Sequence, residues 1–216
     1  MKFLLTAINA KFIHSNPAIY SLRAGVGEKL QPYVELAEFT INESLESILE
    51  GIWKRQPKVI GFSCYIWNWK LIREILTELP KILPNTEIWL GGPEVTYDGP
   101  GLLCEFPQVT GIMVGEGEIT FREVLGQYVR EAESTGQSEQ QPESGSTEQQ
   151  AADRMGTVAG KTVAERFGQI SGLCLASGYT APRELTDLTT LPFLYEDMEP
   201  FTNRIIYYET SRGCPY

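Results

Sequence analysis

The chain has 216 residues, 42% of them apolar and 11% aromatic, and a formal charge of −10. Such a length and composition allow one sizeable core and little beyond a single domain. The acidic balance argues against a nucleic-acid surface, which needs clustered Lys and Arg, and by itself names no partner.

The first twelve residues, "MKFLLTAINAKF", hold an apolar run that Asn9, Lys11 and His14 cut short. A signal peptide needs a longer run and a small-residue cleavage site, so this segment reads as a first strand. "VELAEFT", "KVIGFSC", "EIWLGG" and "GIMVGEG" are likewise short and apolar, bounded by Gly, Pro or Asn as buried strands are.

Amphipathic helices are predicted between them. Asn16 and Pro17 suit an N-cap and a first helical position, with Ile19, Leu22, Val26 and Leu30 on one stripe. Thr40 and Glu43 suit a capping box ahead of Leu45, Ile48, Leu49, Ile52 and Trp53. Ile72, Ile75, Leu76 and Leu79 repeat the spacing, as do Phe121, Val124, Leu125, Tyr128 and Val129. A shorter helix is expected over Gly99 to Phe106. Five strands alternating with helices predict an α/β fold, with parallel βαβ units wound right-handed into a three-layer sandwich.

Ser134 to Gln150 contains no aliphatic or aromatic residue and is expected to be a disordered insertion. Beyond it, "QISGLCLASG" and "IIYYET" read as strands joined by an extended connection. The organisation expected is a domain over 1–131, a polar insertion over 132–160 and an extension over 161–216. No run reaches membrane-spanning length. Cys64, Cys104, Cys174 and Cys214 are too scattered for a disulfide framework, so the cytoplasm is the compartment expected.

In an open parallel sheet, ligands bind beyond the carboxyl ends of the strands. The loops there are "NAKFIHSNP", "SCYIWNW", "GGPEVTYDGP" and "GEGE". Ser63, Gly91, Gly92, Gly115 and Gly117 put small groups where a planar ligand can lie against backbone, although each glycine also suits a turn. His14, the single histidine, suits a structural hydrogen bond or a metal; no further ligands are spaced around it for a site built from protein alone. Gly115 and Gly117 lack the third glycine of a dinucleotide turn, and Glu116 and Glu118 would repel a pyrophosphate; a Glu there also suits the helix dipole. Tyr65, Trp67 and Trp69 suit core packing or the edge of a ligand.

"GGPEVTYDGP", "VTGIMVGEGEITFREVL", "QISGLCLASG" and "ETSRGCPY", in that order, resemble the N-terminal part of cobalamin-dependent radical S-adenosylmethionine enzymes. The resemblance spans the chain except its polar insertion. It implies a flavodoxin-like (Rossmann-like) cobalamin-binding domain on a five-stranded parallel sheet, followed by a barrel. The complete enzyme, as the resemblance has it, uses cobalamin, a [4Fe–4S] cluster and S-adenosylmethionine, most often for methyl transfer, with radical rearrangement and ring closure left open.

Carried onto this sequence, the resemblance implies cofactor contacts from His14, Ser15 and Asn16 after the first strand, and from Ser63, Cys64 and Tyr65 after the third. Gly91, Gly92, Pro93 and Glu94 follow the fourth strand, and Gly115, Glu116 and Gly117 the fifth. Of the D-x-H-x-x-G pattern that supplies a lower cobalt ligand, Phe12 to Pro17 retain only His14, which leaves open both a histidine ligand and a cobalt without one. Cys214 resembles the first cluster cysteine, with its two partners expected beyond Tyr216 in the barrel, so the 216 residues alone are expected to be inactive. The alternatives weighed are a receiver domain, a flavodoxin and a scaffold of the same fold. Asn9 and Ser63 stand where a receiver needs acids, "NAKFIHSNP" lacks a flavodoxin's glycines, and the sequence does not exclude the scaffold.

Overall fold

A computed structural model of the chain describes residues 1–136, 157, 158, 160–195, 197–209, 211 and 212. Most of the expected insertion, and Cys214 with its cluster role, lie outside the described residues.

Strands β1 (Phe3–Asn9), β2 (Val34–Thr40), β3 (Val59–Ser63), β4 (Glu87–Gly91) and β5 (Val109–Met113) form in the places their apolar runs predict. They pair in parallel in the order β2-β1-β3-β4-β5, so strand order reverses between β1 and β3. That order is the flavodoxin-like one, with its ligand crevice at the reversal.

Residues two apart on a strand share a face, and both faces are buried here. Leu4, Ile8, Ile60, Phe62, Ile88, Leu90 and Ile112 meet helices α2 (Leu45–Trp53) and α3 (Trp69–Ile82). Phe3, Leu5, Val59, Trp89 and Met113 face α1 (Pro17–Gly25) and α6 (Gly117–Gly136). Between β4 and β5 lie two short helices, α4 (Pro93–Thr96) and α5 (Gly99–Glu105).

Caps follow the sequence at α1, where the Asn16 side chain accepts from the Ile19 N–H. At α2 they do not. Ser44 is the N-cap and accepts from the Ser47 N–H, while Glu43 folds back onto the Thr40 N–H at 2.7 Å. The chain leaves β2 at Thr40, and a turn intervenes before the helical dihedrals begin, so the Thr40–Glu43 pair closes that turn instead of the helix.

The sheet is wider than five strands. β8 (Leu173–Leu175) joins β5 antiparallel and β9 (Gly178–Tyr179) folds back on β8, so the parallel five become part of a seven-stranded sheet. Before them, β6 (Thr157–Val158) and β7 (Lys161–Thr162) form a small hairpin that leads into α7 (Val163–Phe167). The expected strand over "IIYYET" reduces to one parallel bridge, Ile205 with His14. Its tyrosines, Tyr207 and Tyr208, are used on the cavity described below and not in a ladder.

Arg166 of α7 fastens this addition. Its guanidinium, with 2% of the side chain exposed, is bidentate to Glu87 at 2.9 and 3.1 Å and also reaches Glu131 at 2.9 Å. Arg166→Ala removes the cation shared by two carboxylates that are a fifth exposed, leaving Glu87 its bond from Tyr128 and Glu131 its bond from Gln127. The expected loss is about 2–4 kcal/mol, somewhat under that of a wholly buried pair. Urea unfolding of the variant beside the parent measures it; a loss under about 0.5 kcal/mol, the usual scale of a surface substitution, would refute a structural role.

Candidate functional site

Strand register builds the site. On the α1/α6 face, Ala7, Ser63, Gly91 and Met113 stand side by side at the carboxyl ends. One row below them come Leu5, Gly61, Trp89 and Gly111. Between this face and the starts of α1 and α6 opens a cavity of about 850 Å³, within the size range of small-molecule sites. Phe3, Leu5, Gly61 and Trp89 form its depth, and Ser63, Gly91 and Met113 its rim. Residues 188, 191–194, 207–209 and 212 lie across it as a cover.

Eight of the thirteen residues expected to contact the cofactor meet on this cavity: Ser63, Tyr65, Gly91, Gly92, Pro93, Gly115, Glu116 and Gly117. Gly92 has φ = +110°, and a Cβ there would stand 2.4 Å from the Cys64 carbonyl oxygen, so no other residue fits. Tyr65 stacks on Trp67, with ring centroids 4.4 Å apart and planes 7° off parallel, and Trp67 donates its indole N–H to the Ile8 carbonyl at 3.3 Å. Trp69 instead packs against the core beneath α3.

The other five stand off the lining. Cys64 is wholly buried on the opposite face, its N–H donating to the Gly91 carbonyl at 2.7 Å, and burial pushes its thiol far up. Glu94 is exposed on α4. Ser15 donates to the Ile205 carbonyl at 2.8 Å, and Asn16 caps α1 while its amide reaches the Ser63 hydroxyl at 3.4 Å. His14 pairs through Nδ1 with the Tyr207 hydroxyl, so it reaches the cavity only by way of that tyrosine. Among the described residues no three His, Cys, Asp or Glu side chains are placed to hold a metal ion.

Glu118, in the first turn of α6, does more than face a helix dipole. It is 4% exposed, accepts from the Ser21 hydroxyl at 2.7 Å and takes a two-pronged contact from Arg212 at 2.6 and 3.1 Å. Burial raises its carboxyl, but the hydrogen bonds from Arg212 and Ser21 outweigh burial and hold it below the usual carboxylate range. Glu116 accepts from the Thr186 N–H at 2.6 Å. Together these contacts tie the cover to the rim.

Sequence reasoning missed Leu5, Gly61, Trp89 and the cover. Gly61 carried a usable signal, because a glycine inside the β-branched run "VIGFS" marks a close approach or an open space. The cover left none, since its residues are brought in by pairing far along the chain.

A depressed carboxyl stabilises the fold fully above the ordinary carboxylate pKa and loses that contribution as pH falls through its lowered value. Glu118→Gln is expected to cost about 1–3 kcal/mol near neutral pH. The difference from the parent should shrink as acid protonates the parent's Glu118. Urea unfolding across a pH series reads this, and a constant difference at every pH would contradict the assignment.

Comparison with known proteins gives a consistent set of similarities. The family model described as B12 binding domain matches residues 4–125. The chain is 38% identical over 71 residues to the cobalamin-dependent radical SAM methyltransferase TokK of Streptomyces tokunonensis, a span covering 32% of this chain and 10% of that protein. It is 36% identical over 84 residues to the 2-(S-pantetheinyl)-carbapenam-3-carboxylate methyltransferase of Streptantibioticus cattleyicolor, covering 38% and 12%. Among solved structures, the apo form of the cobalamin-dependent S-adenosylmethionine radical enzyme OxsB superposes with TM-score 0.61 at 16% identity, over 99% of this chain and 27% of that one. OxsB with aqua-cobalamin and S-adenosylmethionine bound gives 0.52 at 15% identity, over 84% and 22%. At that identity the likeness is one of fold. The aligned part of this chain spans about a tenth of the curated relatives' length.

Proposed function

The chain belongs to the B12-binding domain family, and from that premise we propose that it is the cobalamin-holding module of a radical S-adenosylmethionine methyltransferase. The observation that carries the reading is the cavity at the strand-order reversal, with small residues on its rim and carbon surfaces in its depth. These residues fit the group. A corrin ring is broad and planar and would rest over Ser63, Gly91 and Gly92, while the slot beneath admits the aromatic base of its nucleotide arm. Bound cobalamin supplies a cobalt able to carry a methyl group. This chain's own residues bind and orient it: the small rim lets the ring approach the backbone, and the cover excludes water from one side.

Residues 1–131 are the cofactor domain in this reading, and 161–216 lead into a barrel beyond Tyr216. Cys214 is its first cluster ligand; one thiolate of three does not hold a [4Fe–4S] cluster, so radical chemistry belongs to the longer protein. The methyltransferase relatives support methyl transfer as its reaction. Such thiolates need reducing surroundings, which supports a cytoplasmic location. Among the described residues no helix is long and apolar enough to cross a membrane.

Tyr207 engages His14 through Nδ1, which leaves Nε2 as the nitrogen that could meet cobalt in this reading. His14 itself does not line the cavity, which supports a cobalt without a histidine beneath it. His14→Ala should then leave the visible spectrum of the bound corrinoid unchanged, and an altered spectrum would assign His14 to cobalt.

Titrating the purified chain with hydroxocobalamin and following visible absorbance tests the reading as a whole. Saturable binding is expected in the parent, with a loss of at least about tenfold in Ser63→Trp, since an indole on the rim blocks entry and overpacks the slot. No binding by a folded parent chain would overturn the proposal.

A further inference from the structure

The depth of the cavity owes its shape to three neighbours in one register row. Gly61 lies between Leu5 on β1 and Trp89 on β4. A Cβ on Gly61 would come within 3.1 Å of the Phe3 ring and 3.3 Å of the Leu5 side chain, so those two side chains lean over the bare backbone and a methyl group there would have to displace them. The Trp89 indole leans the other way, over Gly111, where an added Cβ would stand only 2.7 Å from the ring.

Trp89 is held in that pose. Its indole N–H donates to the Tyr128 hydroxyl at 2.8 Å, and that hydroxyl donates to Glu87 at 2.6 Å, which Arg166 in turn grips. Phe167 meets the indole edge-on, with centroids 5.1 Å apart. The one polar hydrogen on the floor is therefore already committed. The backbone groups of Leu5, Gly61 and Trp89 are engaged in the parallel ladders. Polar side chains of the lining stand on the rim, the helices or the cover, and Ser21, which faces inward from α1, is bonded to Glu118.

We infer that the row Leu5–Gly61–Trp89 selects the base at the end of a corrinoid's nucleotide arm, accepting a benzimidazole and rejecting a purine. The inference rests on the corrinoid reading above. The outer edge of a benzimidazole is carbon and hydrogen and matches this floor. A purine carries ring nitrogens there, and adenine an exocyclic amine, which would give up water and find no partner. A polar group buried without a hydrogen bond weakens binding about ten- to a hundredfold. Tyr128 acts here as a positioning residue, through the indole it holds.

The test compares three corrinoids on the purified chain by visible titration: cobalamin, its adenine counterpart and cobinamide, which lacks the arm. Each affinity is corrected for that corrinoid's own base-off equilibrium in free solution. Cobalamin is expected to bind at least about tenfold more tightly than the adenine form. Gly61→Ala should weaken cobalamin and leave cobinamide unchanged, with circular dichroism verifying the fold. Equal corrected affinities for the two bases would overturn the selector while leaving the corrinoid reading intact. A Gly61→Ala variant that weakens cobalamin and cobinamide alike, or neither, would remove the row from the arm's path. Binding of none of the three would defeat both proposals together.

Discussion

An α/β sheet buried on both faces must fill each face with side chains, and in this protein one face keeps a cavity at the carboxyl ends of its strands. Leu5, Gly61, Trp89 and Gly111 lie in register, and two of the four have no side chain. The indole of Trp89 covers Gly111, the Phe3 ring and the Leu5 side chain lean over Gly61, and the cavity opens from that row toward the strand ends. Close packing elsewhere makes this opening stable: a core at organic-crystal density does not collapse into a gap whose walls are locked by their own contacts. Tyr128, Glu87 and Arg166 provide the lock, because turning the indole would break a chain of buried hydrogen bonds. The ends of the strands, the cover and the proposed chemistry all depend on that opening.

The chain beyond β9 returns to the same edge of the sheet and is held there largely by arginine–carboxylate pairs. Arg183 reaches Glu123, Arg204 reaches Glu38, and Arg212 reaches Glu118. In a chain of net charge −10 each of these arginines neutralises an acid, and the Arg212–Glu118 pair does so on the cavity lining itself. Glu38 shows how closely this is built, since it also accepts from Asn9 at 2.9 Å and from Tyr20 at 2.8 Å. Burial, and then that neighbouring carboxylate, push the Tyr20 phenol up, which keeps it a hydrogen-bond donor. The cover is thus an electrostatically fastened strap over an apolar slot, a combination that dries the slot without filling it.

Much of the site was legible before any coordinates. Small residues at three adjacent strand ends pointed to the rim, and Ser63, Gly91, Gly92, Gly115 and Gly117 all lie on it. His14, Ser15, Asn16, Cys64 and Glu94 share those loops but point elsewhere, since a residue's place in a loop does not set its side chain's direction. Cys64 follows Ser63 by one position, and alternation along the chain sends it through to the other face. The capping residue of α2 was misplaced for a related reason, as turn and helix use the same short polar side chains.

What the amino-acid sequence determined by itself was the set of elements and their class: apolar runs of strand length, helical stripes between them, and an Asn-Pro start to the first helix. These are local properties, written in spacing and side-chain chemistry over a few neighbouring residues. Tertiary structure alone decided the row that floors the slot, the indole's lean over Gly111, the antiparallel pair added beyond β5 and the cover tied to Glu118. Each of those joins residues tens of positions apart, and their juxtaposition is set by strand register and packing, which no local pattern encodes.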